Sequence, residues 1–160
     1  MTGDIVRIVA AFIGVIGFSI FFNLKKERLL YAAVLGTFTD TLYILGEKLF
    51  PENVFLYNMI PAFIGTFLSE LSARWKKAPA VTFILPSIII LIPGGSFYYT
   101  MSYLVNGNNA LFQKWGSRTI LAALGIAVGI IVASFIFYEI IHLLQATKER
   151  SARKKQGIGE

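Results

Sequence analysis

The sequence predicts an all-α, polytopic transmembrane helical bundle of about five spans, the fourth broken at Pro93-Gly94-Gly95, and three observations predict it. The 160 residues are 56% hydrophobic and only 15% charged, against about a quarter charged in a typical soluble domain. Apolar stretches of roughly 20 residues, enough to cross a bilayer core about 30 Å thick, recur with short polar breaks between them. The basic residues cluster beside these stretches, where anionic lipid and topology account for the formal charge of +6 and nucleic acid is not needed as a partner. With no cysteine and one histidine, neither thiol chemistry nor a protein-built metal site is expected, and no motif calls for a cofactor.

Taken in order, the first span is Ile5 to Leu24. Asp4 rather than a basic cluster precedes it and its apolar run is too long for a cleaved signal, so it is expected to stay in the mature protein. The second span, Leu29 to Phe50, carries Ala32, Gly36 and Asp40 at four-residue spacing, which places a carboxylate on the small-residue face that meets another helix. The third, Val54 to Ala73, carries Glu70 near its end, one turn before Arg74 of the next connection, in the order that favours an interfacial ion pair. The fourth, Ala78 to Val105, contains Pro79, Pro86 and Pro93 at seven-residue intervals, on one helical face. Pro79 suits a first helical turn. Pro86 and Pro93 would free the carbonyls of Thr82 and Ile89, and Gly94 and Gly95 admit backbone conformations closed to other residues. A second short helix is expected to start near Ser96. The fifth span, Thr119 to Leu144, repeats Gly125, Gly129 and Ala133, a stripe for close helix approach. Ahead of it, Leu111, Phe112 and Trp115 suggest a separate interfacial helix, and Trp75 an anchor at the other surface. Residues 1–147 thus form a transmembrane domain and 148–160 a basic cytoplasmic tail, irregular beyond its first turns.

Lys and Arg set the orientation. Eleven of them fall in the first and third connections and the tail, and four in the N-terminus and the second and fourth connections. The positive-inside rule puts the N-terminus outside and the C-terminus in the cytoplasm of a bacterial cell membrane, as five spans require.

Asp40 lies eleven residues into its span, about 16 Å deep and near the midplane. A carboxylate at that depth is a candidate proton carrier or a partner for a cationic group on a small-molecule substrate. The structural alternative is a protonated aspartate tying helices together. Glu139 and His142, three residues apart, are a second and weaker candidate for proton relay. The break is the candidate binding element, because interrupted backbone at membrane depth is tolerated only where protein buries it or it lines a watery cavity. In transporters such half-helices present positive N-termini to anionic groups. Pro93, Gly94, Gly95, Ser96, Tyr99 and Asp40 are the expected substrate-binding set. The alternative is a proline kink that only shapes packing, with Tyr98, Tyr99 and Tyr103 as an aromatic belt. No Lys or Arg is mid-span, so a second substrate carboxylate has no obvious cation, which favours amino acids over dicarboxylates. No nucleophile and base are paired as an enzyme would need.

Two tracts carry a family resemblance. "GFSIFFNLKKERLLYAAVLGTFTD" and "ELSARWKKAPAVTFILPSIIILIPGGSFYYTM" resemble, respectively, a span ending in F-N before a basic turn and an L-G pair, and an R-W turn followed by P-x6-P-G and a tyrosine. The chain is similar to the small subunit of the threonine/serine exporter family, which corresponds to the C-terminal half of the fused exporters. The matched motif positions are Asn23, Gly36, Arg74, Trp75, Pro86, Pro93, Gly94 and Tyr99; Asp40 matches no family acid. The resemblance implies proton-driven antiport of small amino acids such as threonine and serine, together with a larger membrane subunit. It leaves open a dicarboxylate (succinate-type) exporter and a higher oligomer, and a non-transporting scaffold or regulatory subunit stands as the rival class.

Overall fold

The computed structural model describes residues 2–156, with side chains described for 3–147. Six helices follow one another: α1 (Thr2–Phe21), α2 (Lys26–Leu49), α3 (Val54–Trp75), α4 (Val81–Ile89), α5 (Gly94–Val105) and α6 (Asn109–Gln156). No strand occurs among the described residues. Four helices are long and apolar enough to cross a membrane, and α4 with α5, bent by 54°, supplies a fifth crossing if the pair counts as one broken span.

The turns follow from local chemistry. Asn23, Lys77 and Gly107 take left-handed backbone, with φ of 56°, 48° and 69°. After each of them an N–H reaches back five residues: Leu24 to Ser19, Ala78 to Ala73 and Asn108 to Tyr103. This is the six-to-one hydrogen bond that satisfies carbonyls at a helix C-terminus. Asn23, singled out by the family motif, therefore has a plain mechanical role. The side chains of Asn53 and Asn108 accept from the N–H groups of Leu56 and Leu111 and so cap α3 and α6.

Glycines set how closely the helices approach. A Cβ on Gly125 or Gly129 would lie 2.5 or 2.6 Å from the carbonyl oxygens of Phe55 and Met59, so the predicted stripe on α6 brings its backbone against α3. The two helices form the largest interface in the bundle. Gly36 faces Val15 of α1 and the Pro86 carbonyl of α4, and Gly65 of α3 faces Thr39 of α2. The small-residue face of α2 is buried along Ala32, Gly36 and Asp40, as its spacing predicts. Between α3 and α4, Ser69 donates to Ser87, which donates to the Phe83 carbonyl, so that this buried polar pair is linked.

Both ends of the bundle are marked by side-chain contacts. At one end Arg7 of α1 meets Glu47 of α2, and Glu47 meets Arg118 of α6. At the opposite end Leu24, Ala32, Ala73, Ala78 and Phe83 cluster, and Arg74 lies over Phe137 of α6. The chain from Pro79 to Gly94 passes from the second end to the first, and α6 returns along the bundle.

Several expectations are corrected. The segment around Leu111, Phe112 and Trp115 is not a separate helix but the start of α6, because the apolar periodicity runs on without a breaker. α6 also carries the first turns of the tail, to Gln156; residues 157–160, on which the expected irregular end falls, lie outside the described residues. Pro79 precedes α4 rather than lying in its first turn, its carbonyl accepting from the Thr82 N–H. Glu70 and Arg74 do not pair; Glu70 accepts from Ser134 while Arg74 packs over Phe137, both turned toward α6.

Candidate functional site

The break is made by proline rather than by glycine. Pro93 has φ −77° and ψ 53°, and the Gly94 N–H donates to the Ile92 carbonyl across it at 2.7 Å, an inverse γ-turn. Gly94 and Gly95 keep ordinary negative φ and open α5. The expectation that they supply unusual backbone is therefore corrected. What they supply is space: a Cβ on either would meet nothing within 4 Å. Beyond the γ-turn the Phe97 N–H returns to the Pro93 carbonyl, and the N–H groups of Gly95 and Ser96 find no acceptor among the described residues. An open, positive helix N-terminus results.

That terminus lines a cavity of about 270 Å³, near the lower limit for sites that hold small molecules. Pro93, Gly94, Gly95, Ser96 and Tyr99 all contribute, so five of the six residues expected to bind substrate share one wall. Facing them are Arg7, Tyr43, Tyr57, Asn58, Trp115 and Arg118. The Tyr99 ring rests on Trp115 with centroids 4.9 Å apart, and Arg7 sits over the Tyr43 ring at 4.9 Å.

The sixth, Asp40, does not line the cavity but stands behind Arg7. Its Oδ1 is 3.7 Å from Arg7 Nη2, and its side chain is 3% exposed. Oδ2 is buried with no hydrogen-bond partner. Arg7 also reaches Glu47 at 3.5 Å, and Glu47 reaches Arg118 at 3.6 Å. Asp40, Tyr43 and Glu47 fall at i, i+3 and i+7, one face of α2, and that face meets Arg7. The result is an alternating row of charges, Asp40, Arg7, Glu47 and Arg118, beside a helix N-terminus. Thr37, Thr39 and Thr41, neighbours of Asp40 in the most polar stretch, each donate to a carbonyl four residues back and take no part in the cavity.

Glu139 and His142 lie elsewhere. Both are exposed on α6, and Glu139 is 21 residues beyond Arg118, about 32 Å along the helix. His142 stacks on Tyr138. No cluster of acids, histidines and cysteines suited to a metal occurs among the described residues.

Arg7 and Arg118 line this cavity without being expected there from sequence, because charge at the end of a span reads as a topology signal. One clue was present: Arg7 lies inside the first apolar stretch, where a cation calls for a buried partner. The absence of a mid-span Lys or Arg was no guide to the cations available, since helix ends converge here on a break that lies near one end of the bundle.

Comparisons with curated proteins and with solved structures give no match. The family model described as Threonine/Serine exporter, ThrE, matches residues 7–136, a stretch that takes in Arg7, Asp40, the whole of the break and Arg118. A multi-pass membrane chain with this helix order, this break and this match belongs to the threonine/serine exporter family.

Proposed function

We propose that the chain is one subunit of a proton-driven exporter of small amino acids such as threonine and serine, acting with a larger membrane subunit in the cell membrane. The observation that carries the reading is the cavity at the break, where an open helix N-terminus and an arginine face each other and the arginine is held by a buried aspartate. A zwitterion suits this arrangement. Its carboxylate would take the N–H groups of Gly95 and Ser96 and the guanidinium of Arg7, and its ammonium would take the Asp40 carboxylate as Arg7 turns toward the cavity. The Arg7–Asp40 contact of 3.7 Å is longer than a hydrogen bond and leaves room for such an exchange. Each charge exchanges one opposite partner for another, so no buried charge is left unpaired.

In this reading Asp40 would also couple transport to protons. A proton on Asp40 removes the partner of the substrate ammonium, so proton and substrate compete for one group. Competition of this kind is what antiport requires. Glu139 and His142, far along α6, are assigned no part in this step.

A second reading has one observation in its favour, because Arg7 and Arg118 both line the cavity and a dicarboxylate could bridge them. It would leave Asp40 and Glu47 without cations unless they took up protons, so the substrate would bind together with protons rather than against them. Thermal stabilisation of the purified two-subunit complex separates the readings. Threonine and serine are expected to protect it, less so as the pH is lowered; protection by succinate alone, increasing at low pH, would replace the first reading with the second.

A further inference from the structure

The opposite end of the bundle holds another cavity, of about 420 Å³, which the transport reading does not use. It lies where α1 ends, α2 begins and α4 begins, with Lys25 and Arg28 at one side and Phe22, Val81, Thr82 and Leu85 among its walls. The electrostatics are one-sided. Arg7, Lys48 and Arg118 all pair with carboxylates, and Arg74 and Lys76 lie over aromatic rings. Lys25 and Arg28 have no such partner among the described residues.

The backbone adds to the same imbalance. Both α2 and α4 start at this cavity, behind Lys25 and Ala80, and neither start has a side-chain cap. A helix N-terminus favours negative charge; here α2 begins with two lysines, Lys25 and Lys26, and a single acid, Glu27. The apolar walls point to what kind of anion fits. Val81 and Leu85 are 58% and 45% exposed on α4, the first half of the bent pair that would make the fifth crossing, so in that path this side of the cavity opens toward acyl chains. Cations at the rim with hydrocarbon below suit an amphiphile, and basic pockets between helices at a membrane surface are where phosphate headgroups bind.

We infer that this cavity binds an anionic phospholipid, with its phosphate between Lys25 and Arg28 and the upper part of an acyl chain along Phe22, Val81 and Leu85. A free phosphate compound would satisfy the rim but not the walls. The inference stands apart from the transport reading.

Native mass spectrometry and thermal stabilisation of the full chain in its complex test it, with phosphatidylglycerol, phosphatidylcholine and water-soluble glycerophosphoglycerol as probes. Phosphatidylglycerol is expected to bind and stabilise, with the other two at least tenfold weaker. Lys25→Gln with Arg28→Gln should weaken it by roughly 30-fold, the scale of two cations at a membrane surface. Lys76→Gln with Lys77→Gln, which removes the same charge nearby, should leave it within about threefold. Leu85→Trp keeps the rim and fills the wall, and should also weaken lipid binding. Equal binding of phosphatidylcholine, equal loss in both double variants, or full binding by Leu85→Trp would overturn the site. Equal protection by glycerophosphoglycerol would assign the cavity to soluble phosphates and overturn the lipid as its occupant.

Discussion

In the proposed exchange, Arg7 and Asp40 are coupled differently in stability and in transport. Replacing Arg7 by Gln leaves a carboxylate that is 3% exposed without its cation, and because Arg7 itself is 44% exposed the cost is expected to fall below the about 3 kcal/mol of breaking a fully buried pair. Adding Asp40→Asn removes the stranded charge. The double variant is therefore expected to recover most of the thermal stability lost by Arg7→Gln while transporting nothing, in denaturation and flux measurements made side by side. Asp40→Asn alone keeps hydrogen-bonding capacity but cannot carry a proton, so it should fold and lose proton-coupled export. Normal export per folded molecule would reduce Asp40 to a structural residue. Gly94→Val is informative for a reason different from backbone strain. Its φ is ordinary and a Cβ there meets nothing within 4 Å, so the variant should fold with native stability and weaken substrate binding more than tenfold by filling the cavity. Unchanged affinity would move the site away from the break.

At the scale of elements, the bent pair α4 and α5 shows what the sequence could and could not tell. The position of the break was legible, since a proline followed by two glycines inside an apolar run admits few other readings. Its geometry was not, because an inverse γ-turn at Pro93 and glycines bent into unusual φ leave the same letters. Pro93→Ala restores an N–H and relaxes φ, and is expected to lower transport severalfold by shifting the start of α5; Pro86→Ala, inside the continuous α4, should do less. Full transport by Pro93→Ala would show that the turn is not needed. The α6 stripe was legible in full, because only a facing backbone calls for Gly125 and Gly129 at four-residue spacing. Gly129→Leu should destabilise the α3–α6 interface by several kcal/mol, above the usual 1–3 for overpacking, since it meets a carbonyl oxygen rather than a movable side chain. The extent of α6 was not legible: interfacial helix, span and tail share one period, and nothing in their boundaries stops a helix.

For the whole molecule, the long apolar helices, the bent pair and the packing faces were legible from hydropathy and small-residue spacing, whereas the convergence of Arg7, Glu47 and Arg118 was not. Those three residues are far apart in sequence and each, alone, resembles an interfacial charge; only the tertiary arrangement brings them to the break. The orientation remains a proposal from the charge bias. With no native cysteine, Asn108→Cys and Glu52→Cys are expected to react with an impermeant reagent from outside, and Lys26→Cys and Lys77→Cys are not. Labelling of positions 108 and 77 from one side would contradict the five-span path. If the larger subunit carries a similar five-span half, it would enter from the other side as an inverted repeat, and vectorial transport by this chain alone would then be unexpected.

Threonine binding to the purified complex, measured by calorimetry across pH in the wild type, Asp40→Asn and Arg7→Gln, tests the account at its centre. Wild-type affinity should fall as protons take Asp40 from the substrate ammonium. Asp40→Asn should bind at least tenfold more weakly, on the scale of one charge-assisted hydrogen bond, with an affinity that no longer varies with pH, and Arg7→Gln should be weaker still. Wild-type affinity and pH dependence retained in both variants would contradict the exchange of Arg7 and Asp40 onto a zwitterion.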